Sequence, residues 1–323
     1  MKWQEQRSTF NATHRRLLTK RSWRILTRIT AARAMRSFLL RGQLPLLLLL
    51  SGLQSPTESS EVAIKINFDL APDSFDDQYQ GCSKEVMEEL KQGDYFMKEL
   101  QARKNYSKIW QNAHLTWLNH AKALPQNMTI SHAVAILIYT LNSNVRSDFM
   151  STMTRVVRSP QQYEHSFPFK YLHYYLTSAI QLLRKDTDGK NNSLCFKVYH
   201  GTKDVSFKAY KGATIRFGQF LPASLLREEA ERFGNQTLFT IQTCLGAPVQ
   251  DFSLKKEVLI PPYEFFEVIN VSYYPRGYWV QLQSAGNQST YNCQLLKDFS
   301  KKYNPAPTVI ALLFFFTSAI ISV

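Results

Sequence analysis

Cys82, Cys195, Cys244 and Cys293 are the residues of this 323-residue chain whose number most narrows their chemistry. All four lie between two apolar terminal segments, residues 44–53 and 308–323, that read as export signals. In the oxidising compartment beyond the membrane an even count points to two disulfides, and all connectivities remain open. Catalysis by a free thiol is not expected there. The seven histidines are scattered: neither His114 with His120 nor His165 with His173 has ligand spacing on one helical face. No metal site is therefore expected. A G-x-S-x-G elbow, a phosphate loop and a dinucleotide fingerprint are all missing from the sequence. Between the two terminal signals six N-x-S/T sequons, at Asn105, Asn127, Asn191, Asn235, Asn270 and Asn287, read as glycan acceptors.

Longer phrases say more. RFGQF (216–220), FGNQTLFTIQTCLGAPVQDFS (233–253) and EVLIPPYEFFEV (257–268) stand in the second half, with NFDLAPDSFDDQYQGC (67–82) and PQQYEHSFPFKYLHYYLTSAIQLL (160–183) in the first. Together they resemble the vertebrate ecto-ADP-ribosyltransferases of the arginine type, over nearly the whole body of the chain. The resemblance implies transfer of ADP-ribose from NAD, as co-substrate and without a metal, to an exposed arginine of an extracellular protein. It also implies the pairs Cys82–Cys293 and Cys195–Cys244.

Cleaving the nicotinamide glycosidic bond builds positive charge on the ribose, as in glycoside hydrolysis. A carboxylate at that centre stabilises the charge, and in the family it precedes VLIPP, which is Glu257 here. The acid two residues earlier, which engages the target guanidinium, is replaced by Lys255. The strand arginine that positions the dinucleotide follows a Tyr and precedes a Gly; His200 has its place. The S-x-S pattern after FGQF becomes Pro222 and Ser224. Gly201, Gln219 and Phe233 are the further positions expected to contact NAD. A neutral imidazole is a poor replacement for a permanently charged fork of donors, and proline offers no side-chain hydrogen bond. Two functions follow: an arginine-specific ADP-ribosyltransferase of reduced turnover, or a catalytically silent surface-recognition glycoprotein on the same scaffold.

Such a site needs strands to hold it, and from Cys195 onward the texture is strand-like. CFKVYH (195–200), ATIRFGQF (213–220), TLFTIQTC (237–244), EVLI (257–260) and YWVQLQ (278–283) are rich in β-branched and aromatic residues. Before them, helical periodicity runs through Val86/Met87/Leu90, Ile109/Ala113/Trp117 and Leu172/Leu176/Ile180/Leu183. AVAILIYTL (133–141) is apolar all round and reads as a buried helix or strand. The fold class is α+β: a helical subdomain, residues 60–190, packed against a mostly antiparallel sheet, residues 191–297. Asp188–Gly189 with Asn191–Asn192 is the expected hinge between them.

The ends address the chain. Residues 1–59 read as a basic extension plus a signal peptide that opens at Met35. LPLLLLLSGL (44–53) is too short to span a bilayer, which needs roughly 20 residues, and suits a signal-peptide core. Residues 1–41 carry +10 of the formal +14, leaving 14 − 10 = +4 for the rest. A nucleic-acid partner is therefore not expected. Residues 298–323 place a polar spacer, 301–305, before the apolar tail 308–323, the pattern of a glycosylphosphatidylinositol signal with Asp298 or Ser300 as attachment residue. The expected address is the extracellular face of the cell membrane.

Overall fold

The computed structural model describes residues 64–297 apart from 121, 142, 156–158, 191–194, 254 and 275–276. The expected signal peptide, the expected lipid-attachment signal with Asp298 and Ser300, and the Asn191 sequon lie outside the described residues.

Helical periodicity in the first half becomes α1 (Ser83–Gln92), α2 (Tyr95–Gln101), α3 (Tyr106–His120), α4 (Ile130–Thr140), α5 (Asn144–Arg155), α6 (Pro160–Ser166) and α7 (Lys170–Lys190). Val86 and Leu90 bury one stripe of α1, and Trp110, Ala113 and Trp117 one stripe of α3. The all-round apolar segment resolves as helix: every residue of α4 from His132 to Thr140 is buried. Its first turn is closed by the Thr129 N–H, which donates to His132 Nδ1 at 2.9 Å. Glu99, buried on α2, serves the start of α7. Its carboxylate accepts the N–H of Tyr171 at 2.8 Å, the N–H of Leu172 at 3.1 Å and the Tyr106 hydroxyl at 3.0 Å.

The hinge differs from expectation. Asp188 and Gly189 form the last turn of α7, which ends at Lys190. A long buried stripe, Leu172, Leu176, Ala179, Ile180 and Leu183, outweighs the roughly 1 kcal/mol that a helical glycine costs.

The second half supplies β2 (Phe196–Thr202), β3 (Val205–Lys208), β4 (Thr214–Arg216), β5 (Leu221–Ser224), α8 (Arg227–Phe233), β6 (Thr237–Thr243), β7 (Ala247–Pro248), β8 (Glu257–Ile260), β9 (Glu264–Tyr274) and β10 (Gly277–Asn287). Their sheet runs β4-β9-β10-β6-β2-β5-β8-β7; only its β10–β6 ladder is parallel. β3 pairs in parallel with β1 (Ile64–Asn67) at the start of the body. Val198, Ile241, Val258 and Phe266 fill one sheet-side core, while α4, α7 and their aromatic neighbours fill the other. Of the strand expected over 213–220 only Thr214–Arg216 forms, as β4; residues 217–220 are irregular and lead into β5. Gly218 sits between them at φ +66°, and a Cβ there would meet the Ala71 Cβ at 2.5 Å.

Two disulfides close, Cys82–Cys293 and Cys195–Cys244, the same pairs that the resemblance implies. The first spans 211 residues; in the chain-entropy model a loop of that size is worth a little over about 5 kcal/mol. Beside the second, the buried Glu264 carboxylate accepts the N–H of Cys244 at 2.7 Å and of Leu245 at 3.1 Å, fixing the turn after β6.

A dense polar clamp lies next to the first disulfide. Asp76 is fully buried and pairs with Arg216, which is 5% exposed. The Arg216 guanidinium also donates to the carbonyls of Leu70 at 2.7 Å, Ala71 at 2.9 Å and Gln288 at 2.7 Å. The Asp76 carboxylate accepts the N–H of Thr290 and of Tyr291, each at 2.9 Å. Asp77 accepts those of Cys293 and Gln294, also at 2.9 Å.

Arg216→Met would leave the Asp76 carboxylate buried without its cation. The expected loss is about 3–5 kcal/mol of unfolding free energy, read from denaturant midpoints. A variant within about 1 kcal/mol of wild type would show that the pair is not a structural keystone.

Candidate functional site

β2 and β5 are neighbours joined by one register pair, Tyr199↔Ser224. β5 and β8 run in register along their length, with Ser224↔Glu257 and Pro222↔Leu259. Tyr199, Ser224 and Glu257 therefore stand in one row across three adjacent strands. With so short a ladder β2 and β5 splay apart, and a cleft of about 450 Å³ opens there. It brings together His200, Gly201, Pro222, Ser224, Phe233, Lys255 and Glu257, with Tyr199, Ala230 and Arg146 completing the lining. Gln219 is not among the lining residues.

His200 lies on β2, and its Nδ1 is 3.0 Å from the Pro222 carbonyl. A carbonyl only accepts, so Nδ1 carries the proton and Nε2 is left as an acceptor. Burial lowers the imidazole pKa to about 4; the Pro222 bond pulls it up and the Arg146 charge pushes it further down. His200 is therefore neutral at pH 7. Pro222 has no N–H to give, which the sparse β2–β5 ladder tolerates. Ser224 Oγ accepts the Leu226 N–H at 3.0 Å, steering the chain into α8.

Glu257 opens β8 with a side chain only 12% exposed. Burial raises its carboxyl pKa, while the Lys255 and Arg146 cations lower it. Lys255 Nζ lies 3.9 Å from Glu257 Oε1 and 4.9 Å from the Phe233 ring centroid. The lysine is 52% exposed, so this ion pair is worth at most about 1 kcal/mol. Phe233 itself is 60% exposed at the cleft rim. Gly201 has a packing reason for being glycine: a Cβ would meet the carbonyl oxygens of Ala230 at 2.2 Å and Gly234 at 2.3 Å, so α8 could not lie on β2.

Arg146 and Tyr199 were not marked by the sequence. NVRSDFM (144–150) has no spacing that points to a ligand. Topology brings Arg146 in: the buried Tyr139 of α4 donates its hydroxyl to the Phe220 carbonyl just before β5, and α5 starts beside that contact. The Arg146 guanidinium lies 5.2 Å from the Tyr139 ring centroid. Among the described residues no cluster of histidine, cysteine or carboxylates could hold a metal, and no helix is long and apolar enough to cross a membrane. The sequon asparagines Asn105, Asn127, Asn235, Asn270 and Asn287 are exposed.

Residues 68–290 match the family model described as NAD:arginine ADP-ribosyltransferase. The chain is 72% identical to human Ecto-ADP-ribosyltransferase 4 over 287 residues, 89% of this chain and 91% of the relative. It is 39% identical to mouse GPI-linked NAD(P)(+)--arginine ADP-ribosyltransferase 1 over 253 residues, covering 74% of this chain and 75% of that one. Among solved structures, the eucaryotic mono-ADP-ribosyltransferase ART2.2 superposes with a TM-score of 0.59 at 31% identity, covering 71% of this chain and 98% of that chain. Another crystal structure of ART2.2, of a mutant, is a complex with NAD.

The neutral His200 makes stability depend on pH in a stated direction. Its folded pKa lies below the unfolded value of 6.5, so the unfolded chain binds the proton first. The contribution is complete above pH 6.5 and is lost as pH falls toward about 4. Denaturant midpoints for wild type and His200→Asn over that window check it, with the imidazole followed by NMR. The substitution should flatten part of the acid loss; an imidazole that titrates at 6.5 would contradict the assignment.

Proposed function

The chain belongs to the NAD:arginine ADP-ribosyltransferase family, and from that premise we propose that it is a cell-surface transferase of attenuated activity. NAD binds in the β2–β5–β8 cleft, and an arginine of an extracellular protein is the acceptor. The observation that supports this most is the meeting of Glu257, Ser224, His200, Pro222, Lys255, Gly201 and Phe233 around one cleft, from four separate elements and the loop before β8.

Glu257 is the group that stabilises positive charge developing on the ribose, and Lys255 and Arg146 help to keep it ionised. The Ser224 hydroxyl orients the nicotinamide ribose, and the Phe233 face packs on the nicotinamide ring. The residues present thus fit the nicotinamide end of NAD. They depart from the family pattern at three tasks: His200 for the dinucleotide, Pro222 for the ribose and Lys255 for the acceptor. An ammonium where a target guanidinium must dock repels it. Sequence ends and relatives support the address: an exported glycoprotein, held at the outer face by a lipid anchor at Asp298 or Ser300.

One observation favours a second reading, a silent recognition protein. The Lys255 ammonium already engages both Phe233 and Glu257, the aromatic and the carboxylate that the reaction needs.

Labelled NAD with an arginine analogue as acceptor separates the two. Wild type should transfer at least about a hundredfold more slowly than an intact family member, since one lost charge partner costs that much. Single restorations should recover little, because residues that act as a unit are not additive. Lys255→Glu should help only together with His200→Arg and Pro222→Ser, and Glu257→Gln should abolish the activity of that triple variant. Hydrolysis of NAD to free ADP-ribose should respond less to position 255. Wild-type turnover equal to that of an intact relative would sink the attenuated reading; a triple variant that still binds NAD but transfers nothing would favour the silent one.

The address has its own check. Phosphatidylinositol-specific phospholipase C should release the protein from intact cells. Retention while a control anchored protein is shed would mean that the tail is a membrane helix.

A further inference from the structure

We infer that the guanidinium fork of Arg146 receives the diphosphate of a dinucleotide bound in the cleft, a task for which the strand position now offers only His200. This rests on the reading of the cleft as an NAD site. A diphosphate needs a permanent cation or strong donors facing it. His200 supplies neither, since its Nδ1 proton is committed to the Pro222 carbonyl and its ring is neutral. Lys255 is the other cation of the lining, and its ammonium is already shared between Phe233 and Glu257.

Arg146 differs from both. Its guanidinium lies over the ring of the buried Tyr139, which is itself tied to the Phe220 carbonyl. Contact with this fixed ring, including a hydrogen bond to the Tyr139 side chain, restrains the group and leaves its remaining N–H donors able to reach a ligand. No carboxylate of the described residues forms an ion pair with it, although it lines the same cleft as Glu257. Its charge acts on both sides of the site, lowering the pKa of His200 and that of Glu257. A planar fork at that point matches two phosphate oxygens, whereas a lysine would act only as a point charge. The cation of the site has thus moved from the sheet to the first turn of α5.

Binding to the full chain is measured with two probes: ADP-ribose, which carries the diphosphate, and nicotinamide, which carries none. Wild type should bind ADP-ribose with an affinity that falls as salt rises. Arg146→Gln should lose about tenfold or more in that affinity, the worth of a charge-assisted hydrogen bond. It should also lose most of the salt dependence while nicotinamide binding is unchanged. Arg146→Lys should fall between the two and keep the salt dependence. ADP-ribose binding to Arg146→Gln at wild-type strength overturns the proposal. If Arg146→Gln does not fold, Arg146→Lys decides: weakened ADP-ribose binding with unchanged nicotinamide binding supports the fork, and unchanged ADP-ribose binding overturns it. A wild-type chain that binds nicotinamide but not ADP-ribose also overturns it. A wild-type chain that binds neither probe overturns the NAD-site reading itself, and this proposal with it.

Discussion

The buried Asp76–Arg216 pair is the constraint on which the rest of the body depends. Two charges have been taken out of water, and such a step is tolerable only when every donor and acceptor finds a partner. Here the guanidinium is used by the carboxylate and three carbonyls, and the carboxylate by two further backbone N–H groups. Those partners come from the segment before α1, from β4 and from the turn after β10. Stretches far apart in sequence are thereby held in one arrangement, and Asp77 extends it to Cys293 and Gln294. The sheet edge at β4 and the loop that returns after β10 take their places from this contact.

Against that fixed frame the cleft is a place where regular pairing gives way. A single register pair between β2 and β5 lets the strands part, and the side chains at the gap can change without disturbing either core. Packing demands persist beside it: Gly201 is required by the close approach of the Ala230 and Gly234 backbone, whatever the chemistry. The polar side chains of the cleft are accommodated locally, His200 by a carbonyl and Lys255 by an aromatic ring and a carboxylate. A fold held by remote contacts can lose or remodel an activity without losing its shape.

How much of this was legible differs by type of signal. Helices with one apolar stripe, such as α1 and α3, were readable because burial on one face leaves a period. α4 was ambiguous because a helix buried all round has no period to read. The break at Gly218 was hidden inside a strand-like run, since close approach to Ala71 is a tertiary fact. Site positions on β2, β5 and β8 were legible only through resemblance, because no local spacing links residues 200, 224 and 257. Arg146 carried no signal at all: it reaches the cleft through the docking of α4 on the strand β5, and nothing near it in sequence encodes that contact. Arg216 was quoted as part of a recognisable phrase, but its work in the clamp appears only when Asp76 is seen beside it.

The Cys82–Cys293 bridge has a mechanical meaning as well. A pull on the chain beyond residue 293, opposed by a hold on the segment before residue 82, would pass through the covalent bridge. The intervening loop, 211 residues of separation, would be bypassed and carry little of the load. β2, β5 and β8 all lie within that loop. The covalent path between the two ends of the body therefore does not run through the strands of the cleft.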